Sequence, residues 1–309
     1  MMMFCPSIAC IPMVSYLQGM SNRILLGSHM SITGGVHTAF RRGMAIGCTT
    51  MQVFTKNSNK WEAKPLSAEN IENYKSAGAN ATIDPVVSHA VYLINLCALN
   101  QAVLNRSRAA FEDELRRSEA FGMLGVVVHP GAHMGAGEPA GIMRIAESLN
   151  LVHAGTPGFR TLTILETTAG QGSSIGYRFE HLRAILDLVE YSERIAFCID
   201  TCHLFAAGYP IRTEEGWEDT VHELDTILGL DRVVAVHVND SKKEAGSRVD
   251  RHEHIGKGLM GTTPFRLLMN DLRFSRIPKI LETEKSDDMH EDVENMEYLL
   301  GLIGSQREG

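Results

Sequence analysis

Eight short apolar runs punctuate the chain, and a stretch with helical spacing follows each of them. The runs are Ile24 to Gly27, Thr50 to Phe54, Pro85 to Ser88, Gly125 to Val128, Leu162 to Leu165, Ile195 to Ile199, Val233 to Val238 and Pro278 to Leu281. The helical patterns span Val36 to Ile46, Ala68 to Ala77, Asn100 to Phe121, Ala140 to Val152, Phe179 to Val189, Trp217 to Leu228, Pro264 to Leu272 and Glu291 to Leu302. Strands separated by helices must lie parallel, because a parallel connection needs a crossover. Eight such units in 309 residues predict an α/β fold, a closed (β/α)8 TIM barrel forming a single domain over residues 20–309. A doubly wound open sheet is the alternative. The first strand–helix turn contains Gly34-Gly35 but no G-x-G-x-x-G, so a dinucleotide site is not indicated.

Residues 1–19 carry no charged side chain and do not read as part of the barrel. They lack the basic start and the small-residue cleavage site of a signal peptide. The expectation is a disordered or over-extended start, with Met20 as a natural initiator. No apolar run reaches the 18 or more residues of a membrane span, so no membrane partner is expected and the location is expected to be cytoplasmic. The six cysteines form no C-x-x-C pair, and their apolar settings read as small buried hydrophobes in a reducing compartment. The formal net charge is -8, which taken alone argues against a polyanionic partner.

The residues that end the strands change that view. In order they are His89, His129, Glu166, Asp200, His237 and Glu282, at intervals of 34 to 45 residues, each close to one strand–helix unit. In a barrel all of these positions face the end where active sites of this fold sit. A single strand-end histidine is more often structural than functional. Six successive metal-type residues predict a metal site. His203, three residues past Asp200, and the Asp250-Arg251-His252 loop add a further set of three. Imidazole and carboxylate without thiolate suit Zn²⁺ and, less selectively, Mn²⁺ or Fe²⁺. Nine ligands exceed one tetrahedral ion and fit a cluster of two or three, with Glu166, central in the strand order, as a bridge. Such clusters serve in-line displacement at phosphorus.

Longer segments carry a resemblance. They include Gly27-Ser28-His29-Met30-Ser31, Phe54-Thr55-Lys56-Asn57, His129-Pro130-Gly131 and Glu166-Thr167-Thr168-Ala169-Gly170-Gln171-Gly172. With them go Cys198-Ile199-Asp200-Thr201-Cys202-His203, His237-Val238-Asn239-Asp240-Ser241-Lys242 and Gly246-Ser247-Arg248-Val249-Asp250-Arg251-His252. From about Ile24 to the last helix the chain resembles the endonuclease IV family of apurinic/apyrimidinic endonucleases. The resemblance implies three zinc ions, with Mn²⁺ as a substitute. His89, His129 and Glu166 would hold the first; Glu166, Asp200, His237 and Glu282 the second; His203, Asp250 and His252 the third. It implies attack of a metal-activated water on the phosphorus 5′ to an abasic site in double-stranded DNA, with Glu166 and Glu282 at the reacting centre. The products would be a 3′-hydroxyl and a 5′-deoxyribose phosphate, and blocked 3′ ends would be cleaned at the same centre by a monomeric enzyme. Two positions depart from the family pattern. Asn59 stands where an Arg is frequent, and Ala90 where some members have Asp.

Around the mouth, Asn57, Tyr92, Gln171, Lys242, Arg248 and Arg251 are candidate DNA contacts, with Tyr92 as a wedge into the minor groove or a packed aromatic. Gln171 and Asn239 read equally as loop caps, and strand placement puts Lys56 and Lys60 near the same rim. His29 reads as support for the ligands. A metal-dependent sugar isomerase or epimerase is the second functional reading, and a non-catalytic damage-binding module the third. The set of His203, Asp250 and His252 favours the nuclease, because a one- or two-metal sugar enzyme has no use for it. Three divalent ions would offset six of the negative charges, so the acidity excludes non-specific coating of DNA rather than a nuclease.

Overall fold

The computed structural model describes residues 23–304, and the expectation for residues 1–19 lies outside the described residues. Eight parallel strands close into one barrel in sequential order. They are β1 (Leu26–Met30), β2 (Thr50–Phe54), β3 (Val86–His89), β4 (Gly125–Val128), β5 (Leu162–Glu166), β6 (Ile195–Asp200), β7 (Val233–His237) and β8 (Lys279–Leu281). The helices are α1 (Thr38–Ala45), α2 (Ala68–Ala79), α3 (Gln101–Phe121), α4 (Glu138–Ala154), α5 (Phe179–Leu188), α6 (Thr201–Ala207), α7 (Glu214–Leu228), α8 (Thr263–Asn270) and α9 (His290–Gly301). The open doubly wound alternative is excluded by the pairing of β1 with β8. Among the described residues no helix is long and apolar enough to cross a membrane.

Local chemistry fixes the element ends. Ser67 and Asn70 close a reciprocal capping box at the start of α2. The Asn100 side chain accepts from two backbone amides at the start of α3, and Gly122 ends that helix with φ 76°, a conformation glycine adopts without strain. The first strand lies later than the sequence reading placed it, because its parallel pairing with β2 begins at Gly27 and continues to Met30. Helix α6 was hidden in the sequence. It is short, and Asp200 caps it by accepting from the His203 amide at 2.8 Å.

Two cores result. A large outer core lies between strands and helices, and a smaller inner one fills the barrel with Val87, Val127, Ile164, Cys198, Ala235 and Ile280 among others. Side chains alternate across a strand, so the residue two positions beyond each of these also faces inward. Those residues are His89, His129, Glu166, Asp200, His237 and Glu282. The barrel interior thus passes from an apolar plug to a polar mouth in one step of the strand repeat.

Candidate metal centre

Glu166, at the end of β5, organises the mouth. It is fully buried, and its two oxygens face different partners. Oε2 lies 3.2 Å from His89 Nε2 and 3.1 Å from His129 Nε2. Oε1 lies 2.9 Å from His237 Nδ1 and 3.4 Å from His203 Nδ1. Burial pushes the Glu166 pKa up, but the neighbouring charges of His237 and His129 outweigh it and hold this carboxylate well below its ordinary range. His237 Nδ1 is also 3.1 Å from Glu282 Oε2 and 4.0 Å from Asp200 Oδ2.

These side chains form two groups whose ligand atoms lie within 4.8 Å of one another: His89, His129 and Glu166, and then Glu166, Asp200, His237 and Glu282. A third concentration surrounds α6. His203 Nε2 lies 3.1 Å from Asp250 Oδ2, and His252 Nε2 lies 3.3 Å from Asp250 Oδ1. The structure also draws Asp200 into it, since Asp200, His203 and His252 form a group of their own and His252 Nε2 is 3.7 Å from Asp200 Oδ2. Cys202 lies nearby with Asp250 and His252. Burial pushes its thiol up to about 12, and its Sγ donates to the Arg251 carbonyl at 3.8 Å, so it stays a neutral thiol, as a buried hydrophobe would.

A cation fits this donor set on two grounds. The Nε2 atoms of His203 and His252 are buried without a hydrogen-bond partner of acceptable geometry, a costly state that a bound ion relieves. Two histidines also have their tautomer preset. A carbonyl can only accept, so His89 donates Nδ1–H to the Ala90 carbonyl at 2.7 Å, and His203 donates Nδ1–H to the Thr167 carbonyl at 2.8 Å. Each then presents the Nε2 lone pair to the site, the arrangement found in metal-ligating histidines.

The loops divide the remaining candidates. Tyr92 is 69% exposed and leans edge-on against Phe54 at the mouth, so one edge of the ring packs while most of it faces solvent. With Arg251 it rims a cavity of about 300 Å³ lined by His129, His203, His252 and Glu282. Asn57 is exposed, and its Oδ1 accepts from the Asn59 amide. Lys242 is exposed and lies 3.8 Å from Glu284. Gln171 turns its Oε1 to the Asp250 amide at 3.0 Å, and Arg248 stacks on the Tyr177 ring at 4.3 Å, so both brace the loop that carries Asp250. Asn239 is buried, donates to Asp200 Oδ2 at 2.7 Å and accepts from the Glu282 amide at 2.9 Å. Lys56 is placed differently from the sequence expectation. It is buried at 5% exposure, 2.8 Å from Asp113 and 3.3 Å from Glu114 on α3, because two carboxylates from a distant helix reach it before solvent does.

Comparison with known proteins identifies the family of this barrel. The family model described as a xylose isomerase-like TIM barrel matches residues 40–301. A probable endonuclease 4 of Chloroflexus aurantiacus is 49% identical over 277 residues, covering 90% of this chain and 97% of that protein. The crystal structure of endonuclease IV from Thermus thermophilus superposes with a TM-score of 0.78 at 33% identity, covering 90% of this chain and 98% of that one. A D-tagatose 3-epimerase-like protein shares the fold at 17% identity, with a TM-score of 0.70 over 90% of this chain and 97% of that one. With a solved endonuclease IV and a curated endonuclease 4 both matched along nearly their whole length, the chain belongs to the endonuclease IV family of xylose isomerase-like TIM barrels.

Proposed function

We propose that this protein is a DNA-repair endonuclease that hydrolyses the phosphodiester 5′ to abasic sites, leaving a 3′-hydroxyl and a 5′-deoxyribose phosphate, and that the same centre clears blocked 3′ ends. The observation that carries the reading is the division of Glu166 between two histidine sets, with a third set abutting them through Asp200. A sugar epimerase on this barrel has no use for that third set. His89, His129 and Glu166 would hold one zinc ion, Glu166, Asp200, His237 and Glu282 a second, and His203, Asp250 and His252 a third. Bound there, zinc would lower the pKa of water and offset charge developing on phosphoryl oxygens, and Mn²⁺ would substitute.

The chain's own residues do the rest. Glu166 and Glu282 keep negative charge at fixed points beneath the cavity. Tyr92, the most exposed aromatic at the rim, is shaped to enter an abasic gap and unstack the duplex. Arg251, Lys242 and Asn57 stand where phosphates would pass. Gln171 and Arg248 serve the site by holding the loop that carries Asp250. The cavity suits a flipped-out sugar phosphate and not an intact stacked base pair.

Cleavage of a duplex carrying one synthetic abasic site, in buffer free of EDTA and of added Mg²⁺, tests the reading. Incision on the 5′ side, with about three zinc ions per chain by elemental analysis, is expected. Strict dependence on added Mg²⁺, or epimerisation of a ketose without incision, would overturn it.

A further inference from the structure

Strands β3 to β8 each supply one of the metal-type residues, whereas β1 and β2 supply none of them. On their inward faces stand His29 and Gln52, which are register partners. Gln52 is completely buried and also pairs in register with Val87 of the apolar plug. A polar side chain on that surface needs a compensating partner. It has three. Gln52 Nε2 donates to Glu282 Oε1 at 2.5 Å and lies 2.9 Å from His29 Nδ1, while Gln52 Oε1 lies 2.9 Å from His237 Nε2.

The donor and acceptor roles follow by elimination. An ionised carboxylate only accepts, so the face of Gln52 toward Glu282 is the NH₂ group. The opposite face is therefore the carbonyl, and a carbonyl only accepts. His237 must then carry its proton on Nε2, which leaves Nδ1 to the ligand side, where it lies 2.9 Å from Glu166 and 3.1 Å from Glu282. The second amide hydrogen goes to His29 Nδ1, which must be a lone-pair nitrogen.

We propose that Gln52 is a positioning residue of the second ion group. It sets the tautomer of His237 and fixes the carboxylate of Glu282, so that two ligands from two strands arrive preset. Backbone carbonyls do this for His89 and His203, and His237 relies on a side chain. His29 in turn orients the amide of Gln52. The inference rests on the metal-centre reading above and extends it to a residue that touches no substrate.

The test uses the full chain, labelled with ¹⁵N-histidine and loaded with zinc. In the wild type the His237 spectrum should show a proton on Nε2. Gln52→Met has similar bulk and cannot make any of the three bonds. It should shift that resonance and release one ion to a competing chelator about 10- to 100-fold more readily, the range for loss of an outer partner of a ligand. Thr163→Val, which removes a buried hydroxyl from the outward face of β5, where it bonds His153 at 2.8 Å and not the ligands, should retain zinc as the wild type does. A wild-type His237 protonated on Nδ1 would overturn the proposal without any variant, as would a folded Gln52→Met with unchanged spectrum and zinc retention. A wild type that binds no zinc would instead refute the metal-centre reading. The Nε2–H bond to Gln52 would still be read from the same pair of spectra, and an unshifted resonance in Gln52→Met would refute the bond itself.

Discussion

Replacing Lys56 by Met separates a structural lysine from a DNA-binding one. The Lys56 ammonium lies 2.8 Å from Asp113 and 3.3 Å from Glu114, with the Ala110 carbonyl at 3.4 Å. Arg117 holds Asp113 as well, at 2.9 Å, so that carboxylate keeps a partner when Lys56 is lost. Glu114 is fully buried and keeps only the Thr55 hydroxyl at 2.5 Å. Removing one member of a buried pair typically costs about 3–5 kcal/mol, because the other charge is stranded. Burial already pushes the Glu114 pKa above its ordinary value, and loss of Lys56 pushes it further. A group with a raised folded pKa stabilises the fold below its unfolded pKa and loses that contribution as the pH rises through the folded value. The deficit of Lys56→Met should therefore be full near neutrality and shrink toward pH 5, as Glu114 takes up a proton. Urea unfolding at both pH values measures it, and Lys56→Met/Glu114→Gln should recover about half of the loss. Duplex binding titrated against salt supplies the second reading. A phosphate contact would lower the slope of log K against log salt by about 0.9, whereas a buried strut leaves it unchanged. Wild-type stability together with a reduced slope would refute the burial argument and return Lys56 to the DNA surface.

Other expectations follow from the same geometry. Glu282→Gln should fold, since the new side-chain amide keeps a carbonyl oxygen that can accept from Gln52 Nε2, but incision should fall by about 100-fold or more; near-normal turnover would remove Glu282 from the centre. His153 is buried against Thr163, and burial with the Arg194 charge holds its pKa near about 3 against an ordinary 6.5. A lowered folded value means stability is full above pH 6.5 and is lost on acidification, so the wild type should lose about 2 kcal/mol more than His153→Gln between pH 7 and pH 5 in denaturant titrations; equal losses would show that the histidine is charged in the fold. Asp240 accepts from the amides of Ser241, Gly256, Gly258 and Met260 at 2.7 to 3.0 Å. Asp240→Asn turns one acceptor into a donor, and a loss of about 2–4 kcal/mol is expected by thermal or urea unfolding, with protease cutting near residues 256–260 as the local sign; an unchanged melting curve would mean the loop is held elsewhere.

Much of this was legible because a barrel strand has only two faces. Once Val87, Val127 and Ile164 are read as inward, His89, His129 and Glu166 are inward by the period of two. Closure of the sheet then brings strand ends far apart in sequence to one place. What local pattern could not supply is pairing between distant segments. Thr50-Met51-Gln52-Val53-Phe54 reads as a strand, but nothing in it says that Gln52 reaches across the barrel to His237. Lys56 follows a strand in a polar loop, and its burial depends on Asp113 and Glu114 standing on one face of α3. The sequence leaves Gln171 open between a DNA contact and a loop cap and offers Arg248 as a rim cation; both brace the loop of Asp250. A sequence shows which side chains point into a site, and only the fold shows which side chains hold them there.

The charge at the mouth ties recognition to chemistry. Glu166, Asp200, Asp250 and Glu282 all belong to the convergent groups. The nearby cations are few and partly committed, since Lys242 faces Glu284 and Arg248 lies on Tyr177. Four carboxylates against this rim would repel a phosphate backbone. Three divalent ions in the same groups would turn the site positive, because a bound cation is the largest local charge in such a place. The grip on DNA would then be strongest at the point of cleavage and weak over the acidic remainder of the surface. A protein built this way would gain little from undamaged duplex if its phosphates stayed above the floor of the cavity. On the proposed reading it would gain most where an abasic gap let the backbone collapse inward, so the ions proposed to activate the reaction would also select the substrate.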